Sequence, residues 1–104
     1  MALGRPAWEP SGLVREEVSS LLSNRAQAHM ALKDWAAGAV DAEASVEMKK
    51  GGNAKGWWRR GKCLLEMGRL EEAEGWVKQG LEFEATEQDL VGLKGEIERR
   101  KGGE

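Results

Sequence analysis

The chain has 104 residues and a formal net charge of −2, and its 40% hydrophobic and 33% charged residues are typical of one soluble globular domain. No apolar run approaches the ~18 residues of a membrane span and no signal peptide is visible, so we expect no direct membrane insertion. The single cysteine, Cys63, excludes an internal disulfide, and with only one histidine, His29, the two cannot form a zinc site by themselves.

Five helices are predicted, because apolar residues recur at helical spacing in five runs that are separated by glycines or short polar turns. Their expected bounds are residues 13–32, 35–48, 54–67, 70–84 and 87–101. Residues 1–10 contain both prolines and are predicted to be an irregular lead-in, and residues 102–104 a frayed tail. Cys63 falls within the third helix, where we expect a buried structural thiol.

The helices repeat in the sequence. Residues 22–48 align with residues 57–83 at an offset of 35, which places Leu22 on Trp57 and Ala26 on Gly61. This period predicts an all-α array of antiparallel helix-turn-helix repeats, with repeats over about 19–52 and 54–86. The fifth helix has a narrow apolar stripe under a charged outer face, as expected of a solvating cap over about 87–101.

Positive charge is concentrated in one segment. Residues 49–62 carry six basic and no acidic side chains, whereas the chain on either side is net acidic. In a helix, Lys55, Arg59 and Lys62 share one face, and one of the neighbouring Trp57 and Trp58 can border that face. A localised basic island favours an acidic peptide as ligand and argues against nucleic acid, which requires a broad basic surface. A solvated charged face is the alternative.

The second unit resembles the tetratricopeptide repeat. The resemblance rests on the pattern Trp57-x2-Arg60-Gly61-x2-Leu64, followed by small and apolar residues at Gly68, Ala73, Val77 and Leu81. The first unit matches at fewer positions, and His29 lies where the family packs an aromatic residue, so we expect a partly buried packing histidine. The resemblance implies that the first helix of each pair lines a concave groove.

A subset of this family holds the C-terminal carboxylates of chaperone tails in a two-carboxylate clamp. The motif Ser-Asn-Arg-Ala at residues 23–26 and the pair Lys-x3-Arg at residues 55–59 match this subset. The resemblance therefore assigns Asn24, Lys55 and Arg59 to the clamp. It places further peptide-binding side chains at Gln27, Trp58 and Lys62. The Lys and Asn that the family draws from a preceding repeat have no counterpart here, so we expect that an N-terminal repeat is missing.

The segments at residues 21–32 and 55–81 also resemble the cytosolic tetratricopeptide subunits of the fungal post-translational translocation complex of the endoplasmic reticulum. This resemblance implies a cytoplasmic protein, peripheral at the cytosolic face of that membrane, which binds the acidic C-terminal tail of an Hsp70-family chaperone and other subunits of the complex. Other cochaperones share the same motif.

Three other classes of function have to be compared with peptide binding. A structural scaffold would bind its partner through the outer or capping helices, where Arg60 and Glu82 would matter more. An enzyme is not expected and no cofactor is implied, because the sequence contains no nucleophile–base pair, metal cluster or phosphate loop. Binding of single-stranded RNA through the Trp-Arg cluster is opposed by the acidic flanks.

Overall fold

The computed structural model describes residues 12–103, with side chains from residue 14 onward. The secondary structure of this part is helical, which confirms the predicted all-α class. The helices are α1 (Gly12–Ala31), α2 (Trp35–Met48), α3 (Ala54–Glu66), α4 (Leu70–Phe83) and α5 (Gln88–Lys101). The predicted lead-in over residues 1–10 lies outside the described residues.

The helices form two layers. Each helix packs on the next one along the chain, and α3 also contacts α1 and α5, so that α1, α3 and α5 form one layer and α2 and α4 the other. The short turns between them require antiparallel neighbours. The turns after α1 and α3 contain Lys33 and Gly68 at φ 61° and 77°, the left-handed conformation that ends a helix. The described helices therefore form a stack of helical hairpins, as the sequence repeat predicts.

Two glycines lie where α3 and its neighbouring helices approach too closely for a larger side chain. A Cβ on Gly61 would lie 2.7 Å from Val77 Cγ2 and 2.9 Å from Leu93 Cδ2, and a Cβ on Gly80 would lie 3.0 Å from the ring of Trp57. The backbones can therefore approach closely enough for the side chains between them to interdigitate. This approach fixes the position of α3, the helix that carries the basic residues.

The main core lies between α3, α4 and α5. Leu64, Val77 and Ile97 are fully buried there, and Trp57 is 3% exposed. The Trp57 ring lies 4.4 Å from that of Trp76, centroid to centroid. Trp57 is thus the member of the tryptophan pair that packs inward.

Cys63 belongs to a second apolar cluster, which joins α1, α2 and α3. Its thiol is 0% exposed and packs with Met30 and Ala39. Burial raises the pKa of Cys63 to about 11. The residue is therefore a buried thiol, as the sequence predicts, and remains protonated at neutral pH.

Candidate functional site: a groove between the first and third helices

A groove of about 850 Å³ runs between α1 and α3. This volume is within the range of ligand-binding clefts. Two sets of residues line the groove. Those on α1 and α3 are Ser19, Ser20, Ser23, Asn24, Gln27, Ala54, Lys55, Trp58 and Arg59, and those from the α2–α3 turn and the end of α4 onward are Lys49, Gly52, Asn53, Glu84, Glu87 and Asp89. The groove lining therefore combines amide and cationic side chains with three carboxylates.

The structure brings five of the six sequence-predicted site residues to this groove. Asn24 and Gln27 lie on α1 and Lys55, Trp58 and Arg59 on α3, and all five are lining residues. On each helix their spacing of three or four residues keeps them on one face. Their roles in binding remain predictions.

Lys62 is not among the groove-lining residues. Its ammonium nitrogen lies 3.2 Å from a carboxylate oxygen of Glu66 and 3.4 Å from one of Glu96 on α5. Lys62 is one turn beyond Arg59, where α5 packs beside α3. Its charge is thus already balanced by two carboxylates, and the basic face predicted for α3 divides into a groove part and a part that faces the capping helix.

Arg59 is half-buried and tied to α1. Its Nη1 donates to the backbone oxygen of Ser23 at 2.7 Å and to the Ser23 hydroxyl at 2.5 Å. Burial lowers the pKa of Arg59, because removal from water disfavours the charged form. Within residues 14–103 no carboxylate lies within ion-pair distance of its guanidinium group. In a groove, a guanidinium group with no carboxylate partner among the described residues favours an anionic ligand.

Asn24 and Lys55 are exposed at the same groove. In the part of the chain that the structure describes, neither side chain forms a hydrogen bond or an ion pair. The amide of Asn24 and the ammonium group of Lys55 are therefore both available to an incoming carboxylate without the loss of an existing contact.

Arg25 follows Asn24 in the Ser-Asn-Arg-Ala motif but lies outside the groove. Its Nε and Nη2 donate to the two carboxylate oxygens of Asp41 at 2.7 and 2.8 Å. The hydrogen bond from Arg25 lowers the pKa of Asp41. His29 is half-buried, with Nε2 3.4 Å from the same carboxylate. These contacts join α1 to α2 and so fix the position of α1, which forms one wall of the groove.

A polar cluster positions the start of α3 and was missed by the sequence reasoning. Asn53 caps α3 by accepting from Gly56 N at 3.1 Å, and its Nδ2 is 2.9 Å from Lys49 O and 3.2 Å from Ser45 Oγ. Ser45 is fully buried and donates to Ser19 O on α1 at 2.8 Å. The available signal was an Asn directly before a helical run, which is a favoured N-cap.

The residues of the alternative scaffold hypothesis lie on other surfaces. Arg60 Nη1 is 3.6 Å from Glu43, and its guanidinium carbon is 4.8 Å from the centre of the Trp76 ring. Glu82 is exposed on α4. Arg60 therefore joins α2, α3 and α4 and is not free for a partner.

Residues 12–103 contain no cluster of three or more His, Cys, Asp or Glu side chains with the geometry of a metal site. None of the helices in this part of the chain combines the length and the apolar character of a bilayer-spanning segment.

Comparison with known proteins identifies the helical repeat. The ER protein translocation subcomplex subunit sec67 of Schizosaccharomyces pombe is 40% identical over 95 residues, which are 89% of this chain and 49% of sec67. The heat shock protein sti1 homolog of the same organism is 37% identical over 75 residues, 71% of this chain and 12% of that protein. The chain thus spans about half the length of sec67 and a smaller share of sti1.

A solved structure agrees with the sequence relatives. The first TPR domain of Spaghetti (RPAP3), bound to the HSP90 peptide SRMEEVD, has a TM-score of 0.73 and 26% identity, and the match covers 81% of this chain and 66% of that one. No family model matches the chain. The five-helix stack, the sequence relatives and this structural neighbour together show that the chain carries a tetratricopeptide repeat domain of the sec67 type.

Proposed function

We propose that this chain is a non-catalytic adaptor that binds the acidic C-terminal tail of an Hsp70-type chaperone in the groove between α1 and α3. The observation that carries the proposal is the convergence of Asn24, Lys55 and Arg59 on one groove, where no described carboxylate pairs with either cation. The structural neighbour supports it, because that TPR domain is bound to a chaperone peptide with an acidic C-terminal end.

The three side chains offer complementary chemistry. The Asn24 amide can donate to the terminal carboxylate, Lys55 supplies a compact charge, and Arg59 supplies a planar fork for a second carboxylate. A hydrogen bond to a charged group contributes about 1.5–3 kcal/mol. After the cost of ordering the peptide, three such contacts are consistent with micromolar affinity.

We further propose that the adaptor supports post-translational protein translocation at the cytosolic face of the endoplasmic reticulum. This proposal is supported by the similarity to sec67, which is described as an ER protein translocation subcomplex subunit and is 40% identical to this chain over 95 residues. Because the chain spans about half of sec67, contacts with other subunits of such a complex are part of the proposal and not of the comparison.

Calorimetry with synthetic chaperone C-terminal peptides tests the peptide-binding proposal. We expect Lys55→Ala and Arg59→Ala each to weaken binding about tenfold or more, from the loss of a hydrogen bond to a charged group. Lys78→Ala is the matched control, because Lys78 is exposed on α4 outside the groove. Unchanged affinity in both groove variants, with helical content preserved, would reject the proposal.

One observation on α5 favours the alternative function as a structural scaffold. Val91 is 53% exposed, and a Cβ on the neighbouring Gly92 would meet nothing within 4 Å, so this face of α5 is open. A variant with Lys55→Glu and Arg59→Glu separates the two functions. An adaptor that uses the groove should lose its partner in this variant, whereas a scaffold that uses α5 should keep it.

A further inference from the structure

Ser23 is the point at which α1 holds the half-buried guanidinium group of Arg59. The serine is 5% exposed, and both its hydroxyl oxygen and its backbone oxygen accept from Arg59 Nη1. Lys55, the other groove cation of α3, has no such contact within residues 14–103. The two cations of the predicted clamp are therefore held differently.

The contact determines which donors of Arg59 remain available. A guanidinium group has five N–H donors in one rigid plane, and the two bonds to Ser23 engage Nη1. Nε and Nη2 have no acceptor among the described residues. These two nitrogens form one edge of the fork, the arrangement that binds both oxygens of a carboxylate in parallel.

We propose that Ser23 is a positioning residue for ligand recognition, which holds Arg59 ordered so that its Nε and Nη2 donate to the two oxygens of a carboxylate side chain of the peptide. The inference rests on the proposed function of the groove. Ordering a long side chain on binding costs affinity, and a side chain that is ordered in advance avoids this cost. Ser23 thus contributes to affinity through Arg59, without contact with the ligand.

The test is a double-mutant cycle measured by calorimetry with the peptide SRMEEVD. Ser23→Ala should weaken binding about two- to tenfold, the range that corresponds to about 0.5–1.5 kcal/mol for ordering one side chain. In the Arg59→Ala background the same change should have no further effect, because the residue that Ser23 positions is gone. Thr86→Ala is the matched control, since it also removes a hydroxyl group, but Thr86 is exposed in the turn between α4 and α5 and does not line the groove.

Side-chain NMR of Arg59 in the free protein adds a readout that needs no ligand. Wild type should show separate, slowly exchanging Nη–H resonances. Ser23→Ala keeps the backbone acceptor but removes the hydroxyl acceptor, and should therefore speed this exchange. An equal loss of affinity from Ser23→Ala in both backgrounds, or an unchanged Arg59 spectrum, would overturn the role of Ser23. Failure of the wild type to bind any acidic C-terminal peptide would instead overturn the proposed function.

Discussion

Replacement of Asn53 by alanine tests how the start of α3, and with it the groove, is held. Loss of the N-cap acceptor for Gly56 N costs typically about 1 kcal/mol. The change also removes the donor to Lys49 O and Ser45 Oγ, and a net hydrogen bond contributes about 0.5–1.5 kcal/mol. We therefore expect Asn53→Ala to lower the free energy of unfolding by about 2–4 kcal/mol.

Asp34→Ala is the matched control for this prediction. Asp34 caps α2 through Ala37 N at 3.2 Å, and it is exposed; its other carboxylate oxygen lies 4.0 Å from His29 Nδ1 on α1, which is beyond hydrogen-bond distance. Its replacement should cost only the cap, about 1 kcal/mol. Urea unfolding followed by circular dichroism measures both values. If Asn53→Ala costs no more than Asp34→Ala, the bridging hydrogen bonds do not stabilise the domain and the reasoning is refuted.

Three further predictions concern packing, pH and the thiol. In urea unfolding, Gly61→Ala should destabilise the domain by about 1–3 kcal/mol, because the new Cβ would lie within 3 Å of two core side chains. Gly75→Ala, where a Cβ meets open space, should be neutral or stabilising, and equal effects of the two changes would contradict the close packing of α3. Arg25 lowers the pKa of Asp41, so the ion pair stabilises the fold above the unfolded pKa of about 3.9, and this stabilisation is lost as the pH falls through the lower folded pKa. In acid unfolding, Asp41→Asn should lack this pH dependence of stability, and identical unfolding profiles of variant and wild type would refute the pairing. Cys63, with a pKa raised to about 11, should resist iodoacetamide at pH 8 until urea unfolds the domain, and rapid alkylation of the native protein would contradict its burial.

The sequence was sufficient to predict the helices and much of the groove. The apolar period of each segment is a local property, and it gave five helices whose ends agree with the structure to within one or two residues. Lys55 and Arg59 could be placed on one face for the same reason, since a spacing of four residues fixes their relation within a single helix. Their meeting with Asn24 depended on the repeat, which relates α1 to α3.

Contacts between distant helices could not be predicted. Lys62 shares a helical face with Arg59, but its pairing with Glu96 depends on where α5 packs, 34 residues away in the sequence. The bonds between Ser23 and Arg59 require a close approach of α1 and α3 that no local pattern encodes. The tryptophan pair shows the same limit, because adjacency alone leaves open whether Trp57 or Trp58 is buried.

An NMR titration of the isotopically labelled protein with an acidic C-terminal chaperone peptide would locate the bound peptide residue by residue. The proposed clamp predicts that the largest shifts occur at the Asn24 side-chain amide, the Lys55 backbone and the Arg59 Nε, and that they shrink when the C-terminus of the peptide is amidated. Shifts that cluster around Val91 on α5, or that are the same for free and amidated peptides, would contradict it.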